Sequence, residues 1–192
     1  MLRRLYDWTL SFAGHPRALW VLAFVAFIES SVFPIPPDIL MIPLIIARPR
    51  SAFKIAAVAT VASVLGGMLG YYIGWGLFES VGRPMLEFYG KEHYFEEFRT
   101  TYNEWGAWAV LIAGVTPFPY KVITILSGST GLSLPVFIIA SITARALRFF
   151  ILATLLFYFG APIRDFIDKR LGLMFTLFVA LLLGGFIALK YL

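Results

Sequence analysis

The stretch Ile28-Glu-Ser-Ser-Val-Phe-Pro-Ile-Pro-Pro-Asp38 decides how this chain folds. It interrupts a run from Ala18 to Ala47 that is otherwise almost continuously apolar, and it brings two carboxylates and three prolines into that run. Charged groups at membrane depth are costly and usually face protein or water, and irregular backbone is tolerated there only where its polar groups are satisfied. The stretch is therefore typical of a site inside a membrane protein.

A second stretch, Gly114-Val-Thr-Pro-Phe-Pro-Tyr-Lys121, repeats the pattern with two prolines and a lysine. Two such breaks in corresponding positions are the best sequence indication of a translocation site. Alignment of Phe33-Pro34-Ile35-Pro36 with Thr116-Pro117-Phe118-Pro119 gives an offset of 83 residues, which also carries Ser51 onto Leu134. We therefore expect two inverted repeats, each a broken hairpin followed by one span. A chance resemblance between two proline-rich turns is the alternative.

The composition indicates an integral membrane protein. Of the 192 residues 60% are hydrophobic and 14% charged, with a mean hydropathy of +0.83, which is more apolar surface than one soluble core of this size can hide. The net charge of +5 comes from short basic clusters beside apolar runs, which fits a membrane face and argues against nucleic acid as a partner. With no cysteine and two histidines, the sequence implies no disulfide, no metal centre and no cofactor.

The alternation of apolar and polar segments predicts a single all-α membrane domain. An unbroken span needs about 20 apolar residues, whereas each arm of the first apolar run offers about ten, which favours a re-entrant hairpin over one kinked span. The predicted segments are an interfacial helix 1–17, a re-entrant hairpin 18–47, a transmembrane helix 51–78, an amphipathic connector 79–106, a second re-entrant hairpin 107–134, and transmembrane helices 134–160 and 171–192.

Small residues recur mostly three or four positions apart along the first predicted span, so that the backbone of another helix can approach closely. Packing within one chain and packing between two copies in a homo-oligomer both fit this pattern. The residues concerned are Ala59, Ser63, Gly67, Gly70 and Gly74.

Basic residues near the predicted spans give the orientation. Cytoplasmic segments carry the excess of lysine and arginine, so the richer side places the amino terminus in the cytoplasm. The carboxyl terminus then lies outside, unless the first hairpin crosses the membrane. Because no small-residue cleavage site follows the first apolar run, we expect this segment to be retained. The richer side has Arg3, Arg4, Arg17, Arg48, Arg50, Lys54, Arg164, Lys169 and Arg170, and the other has Arg83, Lys91, Arg99 and Lys190.

Several of these motifs together resemble the DedA family of membrane proteins, and its YqaA-type branch most. They are Glu29 with Phe33-Pro-Ile-Pro-Pro-Asp38, Trp105-Gly-Ala-Trp-Ala-Val110, the second proline-rich stretch, Ser127-Gly128, and Arg145 with Arg148-Phe-Phe150. The resemblance, which extends to the SNARE-associated Golgi or VTT proteins, covers about residues 18–160. It implies a bacterial inner-membrane protein linked to envelope homeostasis, proton motive force and lipid translocation. Some members move undecaprenyl phosphate, and eukaryotic relatives scramble phospholipids.

The chain departs from the family pattern at the second proline-rich stretch. The resemblance implies acidic residues in the first hairpin, which Glu29 and Asp38 match, and two arginines in the second. Here Val115 follows Gly114, and Lys121 stands where the other arginine is expected. Lysine binds phosphate as a point charge and lacks the bidentate fork of arginine, so the substrate does not carry over directly. Arg145 and Arg148 are our own candidates to supply the missing guanidinium.

The predicted substrate or ion site contains Glu29, Asp38, Lys121, Arg145 and Arg148. Burial disfavours the charged form of a carboxylate, which suits proton coupling, whereas fixed pairing with the nearby cations is the structural alternative. Lys121 is placed to receive a phosphate head group or, alternatively, snorkels to the interface. The residues predicted to shape the hairpins are Pro34, Pro36, Pro37, Pro117, Pro119 and Gly128.

The favoured function is proton-coupled translocation of an anionic lipid, either a polyprenyl phosphate or a phospholipid, with membrane lipids and protons as the partners. A small-solute or ion transporter is the alternative in the same class. A non-transporting scaffold that docks partners through the connector 79–106 is the alternative from another class. We do not expect an enzyme, because the two histidines lie outside the hairpins and no nucleophile has an evident base.

Overall fold

The computed structural model describes residues 17–32, 36–116 and 118–160, and every regular element in these ranges is helical. The predicted all-α class is confirmed for this part of the chain. Apart from Arg17, the predicted interfacial helix 1–17 lies outside the described residues, and so does the final span 171–192. The α-helices are α1 (Ala18–Glu29), α2 (Asp38–Ala47), α3 (Ala52–Leu77), α4 (Arg83–Tyr89), α5 (Glu92–Val115), α6 (Tyr120–Ser129) and α7 (Leu134–Gly160).

The first proline-rich stretch separates two short helices. Helix α1 has 12 residues and ends at Glu29, and α2 has 10 residues and begins at Asp38, directly after Pro37. Proline lacks a backbone donor and therefore suits the entry to a helix better than its interior. At about 1.5 Å per residue the two helices are about 18 and 15 Å long, against a hydrocarbon layer of about 30 Å. These lengths fit the arms of a hairpin, while re-entrance itself stays a prediction.

Two helical stretches among the described residues are long and apolar enough to cross a membrane, Pro49–Tyr89 and Leu134–Gly160. The first contains a 3-10 turn, Pro49–Ser51, then α3, a π-helical turn, Phe78–Gly82, and α4. Its 41 residues correspond to about 60 Å, roughly twice the hydrocarbon thickness. The chain therefore remains helical well beyond the end predicted for this span at residue 78.

The second proline-rich stretch also separates two helices. Helix α5 ends at Val115, Thr116 is extended with φ −80° and ψ 169°, and Pro119 is the N-cap residue of α6. Helix α5 begins at Glu92 and continues without a break through residues 106 and 107. The end of the predicted connector and the first arm of the second predicted hairpin are therefore parts of one helix.

Helix α3 packs closely against both broken segments through its glycines. A Cβ atom at Gly66 would collide with the backbone carbonyl of Phe27 in α1, and one at Gly74 would collide with the carbonyl of Ile125 in α6. Such approach requires residues without a side chain. The close helix contact predicted from the small residues is thus made between helices of the same chain.

Two clusters of buried side chains form the core, and helix α7 contributes to both. The first cluster joins α7 to α1, α2 and α3, and the second joins it to α3, α5 and α6. Because α7 packs on both broken segments, its arginines lie between them. Members of the first cluster include Leu22, Met41, Ile55 and Phe149, and members of the second include Tyr71, Val110, Tyr120 and Phe137.

Candidate functional site

The two proline-rich segments meet through hydrogen bonds between α6 and the end of α1. Lys121 donates from Nζ to the carbonyl oxygen of Val32 at 3.2 Å, and Thr124 donates from Oγ1 to the carbonyl oxygen of Ser30 at 3.1 Å. Carbonyls at the carboxyl end of a helix have no partner within the helix, so they need donors from elsewhere. The start of α6 supplies these donors and thereby joins the two segments.

Glu29 and Arg145 form the most buried ion pair among the described residues. Arg145 Nη2 lies 2.7 Å from Glu29 Oε2, with 2% of the arginine side chain and 14% of the glutamate side chain exposed. The rings of Tyr120 and Phe149 each lie 4.7 Å from the guanidinium carbon. A guanidinium can stack on aromatic faces while its edge donates hydrogen bonds, so the rings and the carboxylate together fix its plane.

Two serines complete the surroundings of this pair. Arg145 Nε donates to Ser63 Oγ at 2.6 Å, and Ser63 Oγ lies 2.6 Å from Ser30 Oγ. Ser30 Oγ is in turn 3.1 Å from Glu29 Oε2. The sequence interpretation treated Ser63 only as a small packing residue and gave Ser30 no role. The sequence signal for Ser30 is its position directly after Glu29 inside an apolar run. Polar groups at membrane depth need hydrogen-bond partners, so this position indicates that the hydroxyl bonds a neighbouring group.

Asp38 and Arg148 form a second ion pair, with 2.7 Å between Arg148 Nη2 and Asp38 Oδ2 and about a fifth of each side chain exposed. Arg148 Nη1 also donates to the carbonyl oxygen of Thr116 at 2.7 Å, at the end of α5. Asp38 begins α2, where the helix dipole favours an anion, and Arg148 lies at the end of α5, where the dipole favours a cation. The pair therefore places a charge of the favourable sign at two helix ends and satisfies one backbone carbonyl at the end of α5.

Lys121 differs from the two arginines because it makes no ion pair within the described residues. Its amine instead donates to the Val32 carbonyl at 3.2 Å, in a hydrogen bond that is open to solvent. The structure thus brings Glu29 to Arg145 and Asp38 to Arg148 and places Lys121 at the tip of the first segment. Whether these five residues bind a substrate or ion stays a prediction.

The predicted hairpin-shaping residues have separate places in the structure. Pro36 and Pro37 precede α2, and Pro119 precedes α6. Gly128 lies against the backbone of Tyr71, where a Cβ atom would collide with the carbonyl group. Pro34 and Pro117 lie outside the described residues.

The far end of α6 is fixed to α5. Arg99 Nε and Asn103 Nδ2 both donate to the carbonyl oxygen of Thr130, at 2.9 and 3.0 Å. The hydroxyl groups of Tyr102 and Ser127 are 2.9 Å apart. Helix α6 is thus bonded at its start to the end of α1 and at its far end to α5, which defines the position of Lys121 near the tip of the first segment.

The arrangement can exchange one anion for another. Each arginine is neutralised by a carboxylate. Two oxygen atoms of a phosphate can accept hydrogen bonds from a guanidinium in the same way as the two oxygen atoms of a carboxylate. Protonation of a carboxylate removes its charge and releases the arginine for a new partner. Within the part of the chain that the structure describes, no group of three or more metal-ligating side chains comes together.

Comparison with known proteins relates this chain to a family. A profile of the VTT domain matches residues 35–160. A protein of Haemophilus influenzae known only as uncharacterised is 32% identical over 186 residues, which covers 97% of this chain and 96% of that protein. An uncharacterised protein of Histophilus somni is 36% identical over 168 residues, with 85% and 87% covered. No solved structure matches the chain significantly.

Proposed function

This chain belongs to the VTT-domain, or DedA, family of membrane proteins, and on that premise we propose that it is an inner-membrane transporter of an anionic lipid. The lipid is a polyprenyl phosphate or a phospholipid, protons drive its translocation, and the activity supports envelope homeostasis. The family is not in general an enzyme family, which agrees with a transport role.

One observation carries this proposal: two arginines of α7 are neutralised by the two acids that flank the first proline-rich stretch. Arg145 pairs with Glu29 and Arg148 pairs with Asp38, each at 2.7 Å. Both pairs are at least partly removed from solvent, where charge-assisted bonds are stronger than in water. An anionic head group that displaces a carboxylate therefore finds a cation already oriented for it.

Proton coupling follows from the same exchange. A proton taken up by Glu29 or Asp38 cancels the charge that holds the arginine, so the arginine becomes free to bind a phosphate. When the phosphate leaves, the carboxylate loses its proton and pairs with the arginine again. Proton uptake and head-group binding are thus linked through one cation, which is the reciprocity that thermodynamic coupling requires.

Lys121 is the first contact for the head group in this scheme. Its amine makes a solvent-exposed hydrogen bond to the Val32 carbonyl and no ion pair within the described residues, so it can bind an anion without breaking an ion pair. Lysine is a compact point charge on a flexible stem and therefore suits capture better than fixed orientation. The lipid tail remains in the bilayer throughout.

The proposed architecture places this site near the middle of the membrane. Residues 18–47 and 107–134 form two re-entrant hairpins, the two halves are inverted repeats, and the amino terminus is cytoplasmic. The short lengths of α1 and α2 and the joined tips of the two segments support this arrangement. A last span, 171–192, then brings the carboxyl terminus to the outside.

The test uses purified protein in liposomes, with a labelled polyprenyl phosphate and a labelled phospholipid followed between leaflets, with and without a proton gradient. We expect movement of at least one lipid, acceleration by the gradient, and loss of movement in Glu29→Gln and Lys121→Ala. The matched controls are Glu87→Gln and Lys91→Ala, which remove exposed charges from the helices outside the site and should retain activity.

The outcomes separate the candidate functions. If folded protein moves neither lipid, the lipid proposal fails for these substrates, and a small-solute or ion transporter or a scaffold takes its place. A scaffold tolerates loss of the Lys121 charge, whereas a carrier does not. If the control variants lose activity as completely as the site variants, the site assignment fails even though transport occurs.

A further inference from the structure

Four polar groups form a closed ring at the buried ion pair, two from the end of α1, one from α3 and one from α7. Arg145 bonds both Glu29, through Nη2 at 2.7 Å, and Ser63, through Nε at 2.6 Å. Ser63 and Ser30 are 2.6 Å apart, and Ser30 reaches Glu29 at 3.1 Å. Ser30 and Ser63 are fully buried, so neither hydroxyl has water as an alternative partner.

The direction of the hydrogen bonds in this ring follows from the chemistry of the guanidinium. Arginine has only donors, so Ser63 Oγ accepts from Arg145, and its own hydrogen is left for Ser30 Oγ. Ser30 then accepts from Ser63 and has one hydrogen to donate. Two acceptors lie within reach of it, Glu29 Oε2 at 3.1 Å and the carbonyl oxygen of Ala26 at 3.0 Å.

We infer that Ser30 and Ser63 are positioning residues that hold Glu29 in its ionised form and report its protonation to the backbone of α1. While Glu29 is charged, the Ser30 hydrogen points to the carboxylate, because a charged acceptor forms the stronger bond. When Glu29 takes up a proton, this advantage is lost and the Ser30 hydrogen turns to Ala26. The inference deepens the proposed function, since it concerns the proton step of the same site.

The other charged and titratable groups around Glu29 belong to three neighbouring helices. They are Asp38 of α2, Tyr120 of α6, and Arg145 and Arg148 of α7. Helix α3 presents Ser63 to the pair. Replacing a serine leaves all of these charges in place, so its effect on Glu29 isolates the hydrogen bonds.

The test is an infrared titration of the protein in lipid nanodiscs, with the protonated carboxyl band of Glu29 assigned from its disappearance in Glu29→Gln. We expect Ser30→Ala and Ser63→Ala each to move the appearance of this band to higher pH by about one unit. Ser30→Ala removes the hydrogen bond to the charged carboxylate, and Ser63→Ala removes the group that orients both Ser30 and Arg145 toward it. If one variant does not fold, the other still gives the result.

Ser31→Ala is the matched control. Ser31 is also buried at the end of α1, but its hydroxyl partners among the described residues are the backbone carbonyls of Phe27 and Ile28. The band should therefore appear at the wild-type pH in this variant. A shift in Ser31→Ala equal to that in Ser30→Ala would overturn the inference, because loosening of the helix end would then explain both.

Two further results would also overturn it. One is an unchanged titration in folded Ser30→Ala and Ser63→Ala proteins, and the other is a shift of the band to lower pH in either of them. The readout does not depend on lipid movement, so a failed transport assay leaves it intact and a failed titration leaves transport intact.

Discussion

Gly74 and Gly76 lie two residues apart in helix α3, and replacing each with alanine should have opposite effects on stability. A Cβ atom at Gly74 would meet backbone atoms of Ile125 in α6, with its carbonyl carbon at 2.7 Å and its Cα at 3.0 Å. A Cβ atom at Gly76 has nothing within 4 Å. The two variants therefore share the same chemical change and differ only in what the new methyl group meets.

The expected magnitudes follow from two effects. Alanine in place of a helical glycine stabilises by about 0.5–1 kcal/mol, so Gly76→Ala should raise the free energy of unfolding by that amount. Gly74→Ala has the same gain, but forcing a methyl group into a packed contact costs about 1–3 kcal/mol. Because the colliding atoms are backbone and cannot rotate away, we expect the upper part of that range. The free energy of unfolding of Gly74→Ala should thus be about 2–3 kcal/mol lower than that of Gly76→Ala.

The measurement is unfolding of both variants and the wild type in mixed micelles, with sodium dodecyl sulfate as the denaturant and circular dichroism at 222 nm as the signal. A Gly74→Ala protein as stable as Gly76→Ala would refute the close packing of α3 against α6. It would also remove the structural basis for the position of Lys121, since α6 carries that residue.

Two further predictions use the same unfolding experiment with sodium dodecyl sulfate. Arg148→Lys should lower the free energy of unfolding by about 1–3 kcal/mol, because lysine cannot reach both Asp38 and the Thr116 carbonyl. The exposed Arg83→Lys, which alters one surface pair, should change it by less than about 1 kcal/mol, and equal effects would contradict the reasoning. Gly131→Ala should destabilise by about 1–2 kcal/mol, because Gly131 has φ +66°, and wild-type stability would contradict this.

Much of the helix pattern could be predicted from the sequence because prolines mark the breaks. Pro37 and Pro119 stand directly before α2 and α6, where a missing backbone donor is harmless. The continuity of α5 from Glu92 to Val115 could not be predicted from the change in polarity at residue 106. Backbone hydrogen bonds within a helix are local and do not depend on whether side chains are polar, so a helix can continue through such a change.

The charged candidates could also be identified from sequence, because charge within apolar runs is costly and rarely accidental. Their pairing could not be predicted, since it depends on how α7 packs between the two broken segments. The sequence grouped Glu29, Asp38, Lys121, Arg145 and Arg148 as one site, and the structure adds that two separate ion pairs form, Glu29 with Arg145 and Asp38 with Arg148. Ser63 was missed because a small residue in a span usually serves packing, and its hydroxyl acquires a partner only in the folded chain.

The two kinds of cation in this site have different surroundings, which accounts for where arginine and lysine are used. Arg145 stacks on two rings while two of its nitrogens donate to Glu29 and Ser63, which a planar guanidinium can do and the single nitrogen of a lysine cannot. Within the part of the chain that the structure describes, the Lys121 amine has one carbonyl partner, in a bond open to solvent, so its flexible stem can carry it to another partner. The rigid arginines thus suit holding the acids of the first segment, and the lysine suits meeting an incoming anion. In the proposed site, where Val115 stands in place of an arginine beside Gly114, α7 would supply the guanidinium groups and Lys121 the more flexible positive charge.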